Sequence, residues 1–177
     1  MKSRKHNITK GLFIVYIIIL TWIILFKLQF DISSLETMNL RSINLVPFAG
    51  SLIINNRVDI SEIILNVVIF VPFGIYVCML KEEWSFIKKV IPIFITSLAF
   101  ETLQYIFALG ASDITDLIGN TLGGIIGIAV FMLLSKIFKN NTIKIINVLA
   151  LIVTIIVVLF LGLVILQTYR NKYICLA

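Results

Sequence analysis

Histidine is almost missing from this chain: His6, in a basic tail, is the only one. That excludes a histidine-based catalytic triad and a histidine-rich metal site. Cysteine is nearly as scarce. Cys78 lies at the end of an apolar run and Cys175 near the C-terminus. Two cysteines without a Cys-x-x-Cys spacing define no disulfide framework. Charged residues make up 14% of the 177 positions. No Gly-x-Ser-x-Gly or Walker pattern occurs, so a nucleophile would have to be unusual. There is no internal repeat, and no loop is long enough to build its own core. The net charge is +6, but the basic residues flank apolar runs, where topology signals sit. A nucleic-acid partner is therefore not expected.

What the chain does have is apolar length. Sixty per cent of it is apolar, against an ordinary usage of about 45–50%. Mean hydropathy is +1.09. Long, nearly uncharged runs recur, which indicates an all-α, polytopic transmembrane bundle in a single domain over residues 1–177. About five spans are expected. The first is residues 12–26, preceded by the basic stretch 1–10. It resembles a signal peptide but offers no small-residue cleavage site, so it reads as an uncleaved helix. The second runs over about 60–80, with Pro72 expected to kink it. The third runs over about 90–109, the fourth over about 116–138 and the fifth over about 145–166. Residues 45–54 are too short to span, and either lie in the interface or dip in as a re-entrant piece.

Lysine and arginine divide unevenly between the two sides. One side holds Lys2, Arg4, Lys5, Lys10, Lys81, Lys88, Lys89, Lys136, Lys139 and Lys144. The other holds Lys27, Arg41, Arg57, Arg170 and Lys172. The positive-inside rule then places the N-terminus in the cytoplasm and the C-terminus outside.

The unusual polar residues follow from that orientation. Glu101 and Gln104 sit at i and i+3, Asp116 and Asn120 at i and i+4, and Glu62 and Asn66 at i and i+4. Each pair shares one helix face. The short turn holding Gly110, Ser112 and Asp113 makes the third and fourth spans antiparallel neighbours. All three pairs fall in outer halves of their spans, beside an external loop carrying Arg41 and Asn44. Ionisable groups inside a membrane are costly and by default mark a functional site. Each has a plainer reading. Glu101 and Gln104 can tie helices together. Asp113 can be a turn residue and Asp116 an N-cap. Asn120 and Asn66 can be helix contacts, Glu62 an interfacial group and Arg41 a solvated loop residue. Gly119, Gly123 and Gly127 repeat as small-xxx-small, which favours close helix packing.

Four stretches carry a resemblance. They are Leu20-Thr-Trp-Ile-Ile-Leu-Phe-Lys-Leu-Gln29, Arg41-Ser-Ile-Asn-Leu-Val-Pro-Phe48, Asn66-Val-Val-Ile-Phe-Val-Pro-Phe-Gly74 and residues 100–127. In order and spacing they resemble the VanZ-like family of glycopeptide-resistance clusters, over about residues 10–130. The last helix and tail, about 145–177, match only in character. The resemblance implies a bacterial plasma-membrane protein linked to low-level resistance to teicoplanin and related lipoglycopeptides, independent of any change at the D-alanyl-D-alanine end of the precursor. Many broader relatives carry an Arg just before the Asp-x-x-Asp turn, where this chain reads Gly110-Ala-Ser-Asp113. That departure points to the VanZ-proper branch.

Three functions compete at this level. The first is a protein whose outer polar cluster engages a membrane lipid or a lipid-tailed glycopeptide, with an apolar cavity and polar groups at its mouth. The second is an enzyme acting on a lipid-linked substrate. Glu101 and Asp116 would then be acid and base, or oxygen ligands of a divalent cation. The third is a small transporter, disfavoured because no acidic residue lies in the inner half of any span. No resident cofactor or metal is expected, and the sequence does not set an oligomeric state.

Overall fold

The computed structural model describes residues 2–26, 42–47, 53–54, 57–58, 61–108 and 111–174. Arg41, Gly110, Cys175 and most of the connection between the first two helices lie outside them. The described part of the fold is all-α. Its helices are α1 (Lys2–Phe26), α2 (Ser61–Leu80), α3 (Phe86–Ile106), α4 (Ile114–Phe138) and α5 (Thr142–Ile174). A 3₁₀ turn, Lys139–Asn141, joins the last two. Three stretches are long and apolar enough to cross a membrane: His6–Leu25, Ser61–Leu80 and Ile114–Gln167, the last holding both α4 and α5. α3 is not among them. Lys88, Lys89, Glu101 and Gln104 dilute its apolar content.

Two features differ from the sequence expectation. The basic N-terminal stretch is not a separate tail, because α1 already begins at Lys2. The connections also contain short strands. β1 (Ser42–Asn44) pairs in parallel with β4 (Ala111–Asp113), Asn44 opposite Asp113. β2 (Ile53–Ile54), at the end of the 45–54 stretch expected to be interfacial or re-entrant, pairs antiparallel with β3 (Arg57–Val58). Strands this short have no periodicity to detect in sequence.

The bundle is organised on α2 and α4, whose mutual contact is the most extensive among the described elements. Glycines make it possible. A Cβ at Gly123 would overlap the Val67 carbonyl, and one at Gly127 would overlap that of Val71. From the other side, a Cβ at Gly74 would overlap the Gly124 carbonyl. Removing side chains lets the backbones meet, which matters where lipid competes for every apolar contact. Gly119 is looser, with Asn66 Cβ 3.5 Å from where its own Cβ would stand. Gly124 has a different role, receiving the Ile93 side chain of α3.

Around this pair α1 packs Leu20, Ile24 and Leu25 against Phe70, Phe73 and Val77. Phe13 meets Phe73 edge-on with ring centroids 5.5 Å apart. Pro72 lies inside α2. It cannot donate a backbone hydrogen bond, which weakens the ladder in the preceding turn. There the Tyr16 hydroxyl donates to the Ile69 carbonyl at 2.7 Å. That bond adds a donor to the Ile69 carbonyl; the carbonyl that Pro72 itself leaves without its helical donor is that of Val68. At the opposite end from β4, Asn147 Nδ2 donates to Thr9 Oγ1 at 3.0 Å, joining α5 to α1.

Candidate functional site

The C-terminal ends of α1 and α3 and the N-terminal ends of α2 and α4 meet on one side of the bundle. A cavity of about 170 Å³ opens there, lined by Ile23, Ile24, Glu62, Leu65, Asn66, Ile69, Glu101, Gln104, Asp116 and Asn120. All three helix-face pairs read from the sequence therefore line one space. Its floor is polar. Glu101, Gln104 and Asn120 are 4%, 2% and 1% exposed, whereas Glu62 and Leu65 lie exposed at the rim. Ile23, Ile24 and Ile69 supply apolar wall between them, and the charged Glu62 stands at the mouth.

Each floor residue has a fixed tether. Glu101 Oε2 accepts from the Asp113 backbone N–H at 2.9 Å and from the Ser112 hydroxyl at 3.1 Å. That carboxylate therefore holds β4 against α3. Gln104 Nε2 donates to the Ile24 carbonyl of α1 at 3.0 Å. A carbonyl can only accept, so the orientation of this amide is settled by its partner. Asn120 Nδ2 donates to Ser97 Oγ at 2.9 Å. One acceptor is left over on each residue. Glu101 Oε1, Gln104 Oε1 and Asn120 Oδ1 are buried and meet no donor among the described residues. A buried acceptor without a donor carries its full desolvation cost of about 1–3 kcal/mol. Three around one cavity is an arrangement that something bringing donors would complete.

Asp113 and Asn44 form a second, adjoining unit. Asn44 Nδ2 donates to Asp113 Oδ2 at 3.0 Å across the β1–β4 pair. Asp113 Oδ1 accepts from the Thr115 backbone N–H at 2.7 Å, so Asp113 is the N-cap of α4. Of the two plainer readings, capping thus belongs to Asp113 and not to Asp116. Asp116 sits in the first helical turn and faces the cavity, its negative charge favourably placed at a helix N-terminus. Neither Asn44 nor Asp113 lines the cavity. Arg41 lies outside the described residues.

The sequence reading missed Ser97, Ser112 and the Ile24 carbonyl. Ser97 had a signal: Ser97, Glu101 and Gln104 stand at i, i+4 and i+7, one continuous helix face. Ser112 had only its place in the turn. The Ile24 carbonyl is backbone in an unbroken apolar run, and nothing in composition marks it. Contrary to the expectation that the chain lacks a Ser-x-x-Lys pattern, Ser85 and Lys88 have that spacing; both residues are exposed at the start of α3, away from the cavity. Among the described residues, no three or more His, Cys, Asp or Glu side chains converge as a metal site would need.

Comparison with known proteins agrees on one family. A family model described as VanZ/LLP1 matches residues 13–139. Protein VanZ of Enterococcus faecium is 40% identical over 129 residues, covering 73% of this chain and 76% of that protein. No solved structure matches. The matched span contains every residue of the cavity lining.

Proposed function

The chain belongs to the VanZ/LLP1 family, and from that premise we propose that it is a multi-pass protein of the bacterial plasma membrane conferring low-level resistance to teicoplanin and related lipoglycopeptides. It acts at the outer leaflet, where the polar cavity engages an amphiphile or an envelope lipid. The observation carrying this reading is the buried polar floor of Glu101, Gln104 and Asn120, each with an acceptor lacking a donor among the described residues. Helix tying alone accounts poorly for it. Interhelical polar contacts in membranes average about 0.6 kcal/mol, and an ionisable side chain there needs a stronger reason. The excess of Lys and Arg on the opposite side of the bundle supports the outward orientation.

A second reading rests on Ser112, whose hydroxyl donates to the Glu101 carboxylate. A hydroxyl held on a buried carboxylate is the minimal element of an enzyme acting on a lipid-linked substrate. In this chain the same carboxylate oxygen also takes the Asp113 N–H, which favours a structural clamp.

The test uses Glu101→Gln and Asp116→Asn in a susceptible bacterium carrying the gene. Both substitutions keep shape and remove charge. Each is expected to abolish resistance at near-normal protein level, and the double variant is expected to be no worse, since groups acting as one unit are not additive. Full resistance in Glu101→Gln would refute a role for its charge. Loss of resistance in Ser112→Ala at normal stability would promote the enzymatic reading.

A further inference from the structure

Resting on the reading that this cavity engages an amphiphile, we infer that the group it receives is a primary ammonium headgroup, and not a phosphate or an acyl chain. Three features of the cavity select that chemistry. The first is hydrogen-bond polarity. The left-over floor atoms whose identity their partners settle are acceptors: Glu101 Oε1 and Gln104 Oε1. Their residues are at least nine-tenths buried, and both line the cavity. An ammonium carries three donors and no acceptor, whereas a phosphate brings acceptors only. A hydroxyl brings one donor together with lone pairs that would face the Glu101 carboxylate.

The second feature is charge. Glu101 contributes a buried carboxylate to the lining, and no basic side chain of the described residues lines it. An anionic head would meet like charge at close range, and a cation would meet opposite charge in a low-dielectric setting. The third is size. A cavity near 150 Å³ holds a benzene-sized molecule. At about 170 Å³ this one takes an aminoethyl group and excludes a long acyl chain or the body of a glycopeptide. Leu65, exposed at the rim, is where the remainder of an amphiphile meets the membrane.

The experiment is a binding titration of the purified full-length chain in detergent, read by native mass spectrometry. Short-chain phosphatidylethanolamine is compared with phosphatidylcholine of the same chains. The two share phosphate and glycerol, but the quaternary choline nitrogen has no N–H. Hydrogen bonds to charged groups contribute enough that the ethanolamine lipid is expected to bind roughly ten- to a hundredfold more tightly. Glu101→Gln and Gln104→Leu should each reduce that ratio toward one, with thermal unfolding confirming that both variants are folded. Displacement of the bound lipid by free ethanolamine would support a soluble amine as ligand. Persistence of discrimination without displacement would assign the lipid as the source.

Equal affinity for the two lipids overturns the inference. So does a ratio that survives in both variants, or one that emerges only in Arg41→Ala, since the chain's own cation would then be the occupant. Equal lipid affinities together with loss of resistance in Glu101→Gln would leave the proposed function standing while removing the ammonium.

Discussion

Gly123→Ala adds one methyl group to the α2–α4 contact, and the structure sets its consequence. The new Cβ would overlap the Val67 carbonyl oxygen and stand 2.8 Å from the carbonyl carbon. Those are backbone atoms of a helix, so no side-chain rotation relieves the overlap; the helices must part. Overpacking a core costs about 1–3 kcal/mol, and a backbone obstruction belongs at the upper end. Alanine returns about 1 kcal/mol of helix propensity over glycine. The net expectation is a loss of about 2 kcal/mol. Gly119→Ala is the internal control. It lies on the same face, but its Cβ would find Asn66 Cβ at 3.5 Å, an ordinary contact. Propensity alone should then stabilise it by up to about 1 kcal/mol. The two variants should differ by about 3 kcal/mol in unfolding by sodium dodecyl sulfate titration in bicelles, followed by tryptophan fluorescence. Equal stabilities, or loss in Gly119→Ala with none in Gly123→Ala, would refute the close approach of α2 and α4 as the basis of the fold.

Other outcomes are checkable with the same material. Reporter fusions after Trp84 and Asn140 should read cytoplasmic and a fusion after Gly110 external; a cytoplasmic reading at Gly110 would invert the side on which the cavity opens. Ala108 adopts φ 53° just beyond the end of α3, in the left-handed region that costs an alanine roughly 1–2 kcal/mol. Ala108→Gly should therefore raise stability by about 0.5 kcal/mol after the entropy cost of glycine in the unfolded chain, read by the same titration; a clear loss would contradict that conformation. Asn147→Leu removes the buried link to Thr9 and should loosen α5 from α1 by about 0.6 kcal/mol, up to about 1.7. Faster hydrogen exchange in both helices would register it.

Parts of the site were legible because helix periodicity is a local property. Glu62 with Asn66, Glu101 with Gln104, and Asp116 with Asn120 could be paired on faces from spacing alone. Their convergence on one side followed from counting helices and weighing Lys and Arg. The division of labour was not legible. Asp113 and Asp116 differ by three positions in a similar polar turn, and either could have capped α4. Only the backbone path, extended at Asp113 with φ −122° and ψ 127°, decided that Asp113 caps and Asp116 faces the cavity. The parallel pairing of residues 42–44 with residues 111–113 joins segments far apart in sequence, each too short to carry a pattern.

By itself the sequence determined the class and the family. Apolar length sets a membrane solution because a backbone in lipid must satisfy its own hydrogen bonds. The ordered motifs, matched over residues 13–139, set the kinship. It also determined that glycines would mediate packing, since small residues every fourth position leave one face bare. Tertiary structure alone decided which glycines are obligatory. Gly123 and Gly127 face carbonyls of α2, Gly119 has room, and Gly74 answers from the other helix. It alone decided that the cavity floor is polar and its rim partly apolar, because depth depends on how far each helix end reaches past its neighbours. It also decided that Gln104 leans on the Ile24 carbonyl, a contact across 80 positions of sequence. Spacing within a helix is written locally in the chain, whereas the atoms left without partners are a property of the assembled bundle.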